Sequence, residues 1–287
     1  MNIDDLLTAA ALQLATAGIE EASLDARLLF QHLTAMTRSR LLLQAKQPVN
    51  DSTMQQYQRL VALRSQRIPL QHLTGSQEFW SMDFVVSPAV LIPRPETEFL
   101  LERVLAVCSR GSAVSCALDM CTGSGVIAVV LARELGCRVT AVDISEAALE
   151  IAAENISRHL ATDLIALVCS DLFAALNRNR KFDVIVSNPP YIANDQIKDL
   201  EPEVNMAEPR LALSGGPTGL RLIEQIAVVA EGFLQPGGWI FLEIGADQEN
   251  AVTALFEDSG RQYEQVKVIE DWSGRPRVLQ ARFSPSF

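Results

Sequence analysis

The chain has 287 residues, 48% hydrophobic and 21% charged, which is enough for one large domain or two smaller ones with real cores and excludes extended disorder. Its net charge of −11 disfavours a surface built for phosphate backbones, although the imbalance is uneven: residues 1–90 carry seven Lys+Arg against eight Asp+Glu, the remainder 17 against 27. Five cysteines without a CxxC pair, an acidic start with no basic leader and no apolar run of ~18 residues lead us to expect a cytoplasmic chain with no membrane span.

Residues 1–66 predict helices. "IDDLLTAAALQLATAG" ends at Gly18, a C-cap residue. "SLDARLLFQHLTAM" places Leu24, Leu28, Leu29 and Leu33 on one face, and "DSTMQQYQRLVALRSQR" opens with Asp51 or Ser52 as its cap. Residues 1–75 are therefore expected to form a small helical bundle, either a stabilising cap or a partner-recognition unit. Residues 76–93 alternate apolar and polar side chains around a turn-like "SMD", which predicts a β-hairpin linker to the domain at 94–287. "PRPETEFLLERVLAV" restarts a helix with Pro95 near N1 and acids in its first turn.

From about residue 114, short apolar strands alternate with helices, the signature of a parallel sheet covered on both faces. The last two runs, "YEQVKVIED" and "RPRVLQARF", flank "WSGRP" and read as a hairpin, so one antiparallel strand is expected to close the sheet. Residues 192–221 lack periodicity and contain Pro202, Pro209 and Pro217. So long a loop in a compact domain points to a functional segment, here a lid with Glu208 and Pro209 at the pocket.

Three strands end in acids: Asp119, Asp143 and Asp171. Ligands in open α/β sheets sit beyond such strand ends. "LDMCTGSG" (118–125) places Cys121, Thr122, Gly123, Ser124 and Gly125 where a strand turns into a helix. Its glycines allow a tight turn and close approach to a ligand, or merely a tight connection. It lacks the third glycine of a pyrophosphate fingerprint and is no P-loop, so a ligand without a pyrophosphate suits it better. Asp143, 24 residues after Asp119, is placed to accept from ribose hydroxyls, or to cap the following helix. Asp171 offers an acceptor for an adenine amino group, with Leu172 or Phe173 on the ring, or an N-cap for "LFAAL". His32, His72 and His159 are scattered and no metal-ligand spacing occurs, so no metal is expected.

The fourth strand runs into "NPPY", residues 188–191. Proline fixes its own φ and restricts the residue before it, so Asn188 and Pro189 are both stiffened. Pro189 and Pro190 have no N–H, which leaves an edge rich in acceptors. The Asn188 side-chain oxygen and the Pro189 carbonyl can each take one N–H of a planar NH2 group and aim its nitrogen, while Tyr191 covers the plane.

"LDMCTGSG", "AVDIS" and "NPPY" together resemble class I S-adenosylmethionine-dependent methyltransferases that modify planar NH2 nitrogens. "IPLQHLTGSQEFWSMDFVVSPAVLIPRPETE" (68–98), "ALSGGPTGLRL" and "DWSGRPRVLQARF" narrow the resemblance to the HemK/PrmC family, over nearly the whole chain. The resemblance implies a five-helix N-terminal domain, a hairpin linker and a Rossmann-like seven-stranded methyltransferase domain. It implies N5-methylation of the glutamine in the Gly-Gly-Gln motif of peptide chain release factors 1 and 2, without direct nucleic-acid contact. It carries over the 121–125 loop, Asp143, Leu172 and Asn188 as cofactor positions, and Asn188, Pro189, Pro190 and Tyr191 as the substrate clamp. Cys121 stands where many members have glycine. A ribosomal-protein glutamine methyltransferase and a nucleic-acid amino-group methyltransferase are the alternatives.

Overall fold

A computed structural model describes residues 1–109, 113–258 and 260–285, which divide into two compact units. The first comprises residues 1–76 together with 201–207. Helices α1 (Ile3–Thr16), α2 (Ala22–Thr34), α3 (Arg38–Leu43), α4 (Asp51–Ser65) and α5 (Leu70–Thr74) bury a core that includes Leu6, Leu14, Leu29, Phe30, Tyr57 and Val61. Ala22, Ala26, Leu29 and Phe30 of α2 face that core at helical spacing, which turns Leu24 outward to 40% exposure. The cap of α4 is Asn50, whose Oδ1 accepts from the Thr53 amide, one residue earlier than the sequence pattern suggests. The short helix Pro202–Ala207 belongs to this unit. Its Glu203 accepts from Arg64 at 2.8 Å and Arg67 at 2.9 Å, while Arg64 also holds the buried Asp25 at 2.7 Å.

The second unit begins at Gln77, inside the first strand of a hairpin of β1 (Ser76–Phe79) and β2 (Met82–Val85), followed by α6 (Pro95–Cys108) with Pro95 at its first turn. Beyond them lies a seven-stranded sheet: β3 (Cys116–Met120), β4 (Arg138–Asp143), β5 (Ile165–Cys169), β6 (Phe182–Ser187), β7 (Leu234–Glu243), β8 (Tyr263–Glu270) and β9 (Pro276–Phe283). Its order is β5-β4-β3-β6-β7-β9-β8. All neighbours are parallel up to β7. The one reversed strand, β9, lies between β7 and β8 rather than at the edge.

Strand β3 is buried on both faces, which is why it reads as a continuous apolar run rather than an alternating one. Helix α7 (Val126–Leu135) is buried from Val126 through Ala132, and α8 (Glu146–Arg158) beside it is amphipathic. No helix among the described residues is long and apolar enough to cross a membrane. Strand order reverses between β4-β3 and β3-β6, so the C-terminal ends of these strands flank a topological switch point.

Candidate active site

A cavity of about 310 Å³ opens at that switch point. Its wall is built from the segments that leave the strand ends: residues 120–124 at β3, 142–145 at β4, 170–172 at β5, and Asn188 with Pro190 at β6. Thr97 of α6, Pro209, Leu211, Ala212, Arg221 and Gln225 also line it, as do residues 89–91 and Pro93 ahead of α6.

The turn after β3 is held mainly by backbone. The Thr122 amide donates to the Val142 carbonyl at 2.9 Å, and the Gly123 amide to Asp143 Oδ2 at 2.9 Å. Gly125 caps α7 at φ +81 and has no side chain to satisfy the helix's first amides. Asp119 does it instead. Its Oδ2 accepts from the Ala128 amide at 3.0 Å and the Thr122 hydroxyl at 2.5 Å. Asp119 is fully buried, does not line the cavity, and burial pushes its carboxyl up to about 7. Cys121 sits at φ +63, a left-handed backbone that costs other residues and not glycine. Desolvation pushes its half-buried thiol well above the ordinary range. Gly123, at φ +54, has nothing within 4 Å of where a Cβ would stand, so the loop shows the cavity bare backbone.

Asp143 is fixed from both sides, Oδ2 by Gly123 and Oδ1 by the Ser145 amide at 2.9 Å. The cap of α8 is Ser145, so Asp143 is a wall residue and not the helix cap. Asp171 is exposed at the cavity edge and no α-helix begins at it. Leu172, at φ +46, lines the cavity, whereas Phe173 turns into the core and stacks on Phe233 at 4.9 Å.

Of the tetrapeptide, Asn188 and Pro190 line the cavity; Pro189 and Tyr191 do not. Asn188 Nδ2 donates to Thr97 Oγ1 at 3.0 Å, and that hydroxyl donates to Glu243 Oε2 at 2.8 Å. The Tyr191 hydroxyl donates to Glu243 Oε1 at 3.1 Å, and the Tyr191 carbonyl accepts from Gln248 Nε2 at 2.8 Å. Glu243, the last residue of β7, is buried, and burial raises its carboxyl to about 7. The terminal hairpin brings Arg277 towards Glu243. The Arg277 guanidinium is anchored on Asp271 at 3.2 Å and on the Ile244 carbonyl at 3.3 Å.

Residues 192–221 are more ordered than their composition indicates. Ile192 and Ser214 form a parallel bridge, and the Asn194 amide donates to the Gly216 carbonyl. Pro209 lines the cavity. Glu208 does not: it turns to Arg94, 2.8 Å from both carboxylate oxygens, and to the Ile92 amide at 3.3 Å.

Sequence reasoning missed Thr97, Asn155 and Glu243. Glu243 had a signal, since it ends an apolar strand as Asp143 does. Asn155 had none. Buried on α8, it pairs with both backbone groups of Val85, at 2.7 and 2.9 Å, and donates to the Ser124 carbonyl at 2.9 Å.

Residues 5–75 match the family described as the PrmC N-terminal domain, and residues 95–215 the methyltransferase small domain. A release factor glutamine methyltransferase of Cereibacter sphaeroides is 41% identical over 283 residues, covering 98% of this chain and 99% of the relative. One of Moorella thermoacetica is 40% identical, covering 98% of each. A methyltransferase from Pyrococcus furiosus superposes with a TM-score of 0.54 at 22% identity over 72% of this chain and 91% of that one, a likeness of fold alone.

Proposed function

This chain belongs to the family of release factor glutamine methyltransferases, and from that premise we propose how its cavity works and on what. It transfers a methyl group from S-adenosylmethionine to the side-chain amide nitrogen of the glutamine in the Gly-Gly-Gln motif of release factors 1 and 2, in the cytoplasm and without touching nucleic acid.

The residues present fit that cofactor. Both Asp143 oxygens take one backbone N–H and keep lone pairs for a diol. Ile144 and Leu172 offer apolar faces to a base, and the 121–125 loop has no Lys or Arg, as a ligand without a pyrophosphate requires. When bound, S-adenosylmethionine supplies an electrophilic methyl group on a sulfonium.

An amide nitrogen is a poor nucleophile because its lone pair is delocalised, so what this chain contributes is position. Asn188 Oδ1 and the Pro189 carbonyl each accept one N–H of the target amide and leave the nitrogen facing the cavity. Such alignment is worth on the order of 7–11 kcal/mol of the barrier. The same two oxygens stabilise positive charge developing on nitrogen. The tetrapeptide 188–191 is the clamp, with Tyr191 braced behind it. The observation that carries this reading is the Asn188 amide: its nitrogen is committed to Thr97, leaving its oxygen as the acceptor it offers the cavity it lines.

The bundle at 1–75 docks the release factor, the 76–93 hairpin links it to the catalytic domain at 94–287, and residues 192–221 form a lid. Leu42 and Leu43, exposed on the bundle at 66% and 88%, support a docking role. The test is to supply methyl-labelled cofactor with release factor, a ribosomal protein or nucleic acid in separate reactions. Label on the release-factor glutamine is expected; label on nucleic acid alone overturns the reading. Bound release factor should also slow amide exchange in 192–221, and unchanged exchange would remove the lid.

A further inference from the structure

The hydrogen-bond chain behind Asn188 has a direction, and that direction bears on which substrates the clamp accepts. We infer that Thr97 and Glu243 are positioning residues that lock the Asn188 side-chain amide with its oxygen towards the cavity, so that the site selects a group bringing N–H donors. This rests on the glutamine-methylating reading and adds two residues to it.

A threonine hydroxyl has one hydrogen and two lone pairs. Thr97 gives that hydrogen to Glu243 Oε2 at 2.8 Å, so it faces Asn188 as an acceptor, 3.0 Å from Nδ2. A flipped Asn188 would set its oxygen against the threonine lone pairs with no hydrogen between them. The far end of the chain decides this polarity. Glu243 accepts from Thr97 on one oxygen and from the Tyr191 hydroxyl on the other, and an ionised carboxylate can only accept. All four groups are buried or half-buried, so an unmade bond is costly enough to hold one amide orientation.

Protonation of Glu243 reverses the logic. A carboxylic acid donates one bond, and if it donates to Thr97, the threonine hydrogen is released towards Asn188 and the amide can turn. The groups that act on Glu243 are the Thr97 and Tyr191 hydroxyls, the Arg277 cation of β9, which favours the ionised form, and Glu96 of α6, which opposes it. Burial outweighs them and lifts the carboxyl to about 7. Glu243 therefore loses its proton as pH rises through about 7, and the acceptor-out clamp is the high-pH form.

The test is Thr97→Val, which keeps the shape and removes the hydroxyl, beside Thr97→Ser, which keeps it. Valine should lower kcat on the order of 10²-fold, with KM for the cofactor within about 3-fold, and serine should restore most of it. In the wild type kcat should rise through about pH 7, and Glu243→Gln should abolish that step. Independently of any turnover, the 15N-resolved Asn188 side-chain amide of the ligand-free protein should shift and lose exchange protection in Thr97→Val and not in Thr97→Ser. Valine with wild-type kcat, serine no better than valine, a pH step surviving Glu243→Gln, or an unmoved Asn188 resonance would each overturn the inference. Wild-type protein that labels no glutamine, yet shows the Thr97-dependent amide shift, would overturn the functional reading and leave the lock standing.

Discussion

The two sides of the cavity are held rigid by different means. On the glycine-loop side, residues 119–145 are tied together mainly by backbone amides that meet two carboxylates, Asp119 and Asp143, with the Thr122 hydroxyl also on Asp119, and these partners lie within one stretch of chain. On the Asn188 side, the fixing groups are side chains drawn from α6, the end of β6 and the end of β7, at 97, 188, 191 and 243. A wall of backbone tolerates a change of side chain; a relay of side chains fails when one member is removed.

That contrast is broken most severely at Asn188. Asn188→Ala removes one of the two acceptors of the proposed clamp without opening the core, and methyl transfer should fall 10²–10³-fold, the scale seen when one preorganised polar group is deleted. The thermal midpoint should stay within a few degrees. Wild-type turnover by this variant would leave the clamp to the Pro189 carbonyl alone.

Besides its two carboxylates, the glycine-loop side depends on one side chain from farther along the chain, Asn155. Asn155→Leu leaves three buried or half-buried backbone groups without this partner: the Val85 amide and carbonyl and the Ser124 carbonyl. We expect a loss on the order of 3 kcal/mol, read as a fall of roughly 6–12 °C in the midpoint. A fall under about 2 °C would show that water replaces Asn155 at no cost.

The same division explains what could be read from sequence. Strand–helix alternation, the loop at 121–125 and Asp143 were legible because each is a local pattern of types and spacing. Asn188 was legible because two prolines announce a rigid edge. The pairing of Thr97 with Glu243 was not, since the two lie 146 positions apart and nothing local says that the fold brings them within 2.8 Å. The reversed strand was expected, but its place between β7 and β8 was not, because a hairpin signal does not say which strand joins the sheet. Leu24 was misassigned to the buried face of α2 because four leucines permit more than one stripe, and packing against Tyr57 and its neighbours chose the one through Phe30.

A pH titration of stability sharpens the comparison, because each side holds one buried carboxyl raised to about 7, Asp119 and Glu243. Between about pH 4 and 7 the folded chain keeps protons that the unfolded chain has released. Stability is thus fully present below the unfolded values and falls as pH rises, each group adding a limiting slope of about 1.4 kcal/mol per pH unit. Glu208, also raised by burial, acts in the same direction, while Glu203 and Asp271, held low, act in the opposite one. Asp119→Asn should flatten denaturant-derived stability against pH by one such contribution. A slope identical to wild type would mean that Asp119 is ionised throughout.

The smallest effect is expected at Cys121, and there it is the smallness that matters. Its backbone is left-handed at φ +63, so Cys121→Gly relieves strain worth roughly 1 kcal/mol. It also gives up the packing of a half-buried thiol and adds freedom to the unfolded chain, which together cost about as much. The net change should lie within about 1 kcal/mol, and cofactor affinity within about 3-fold, because the loop meets the cavity through main-chain atoms. The measurements are a denaturation midpoint and a titration with S-adenosylmethionine. A tenfold loss of affinity would mean that the thiol itself touches the ligand, and the glycine-loop side would then rest on side chains as the Asn188 side does.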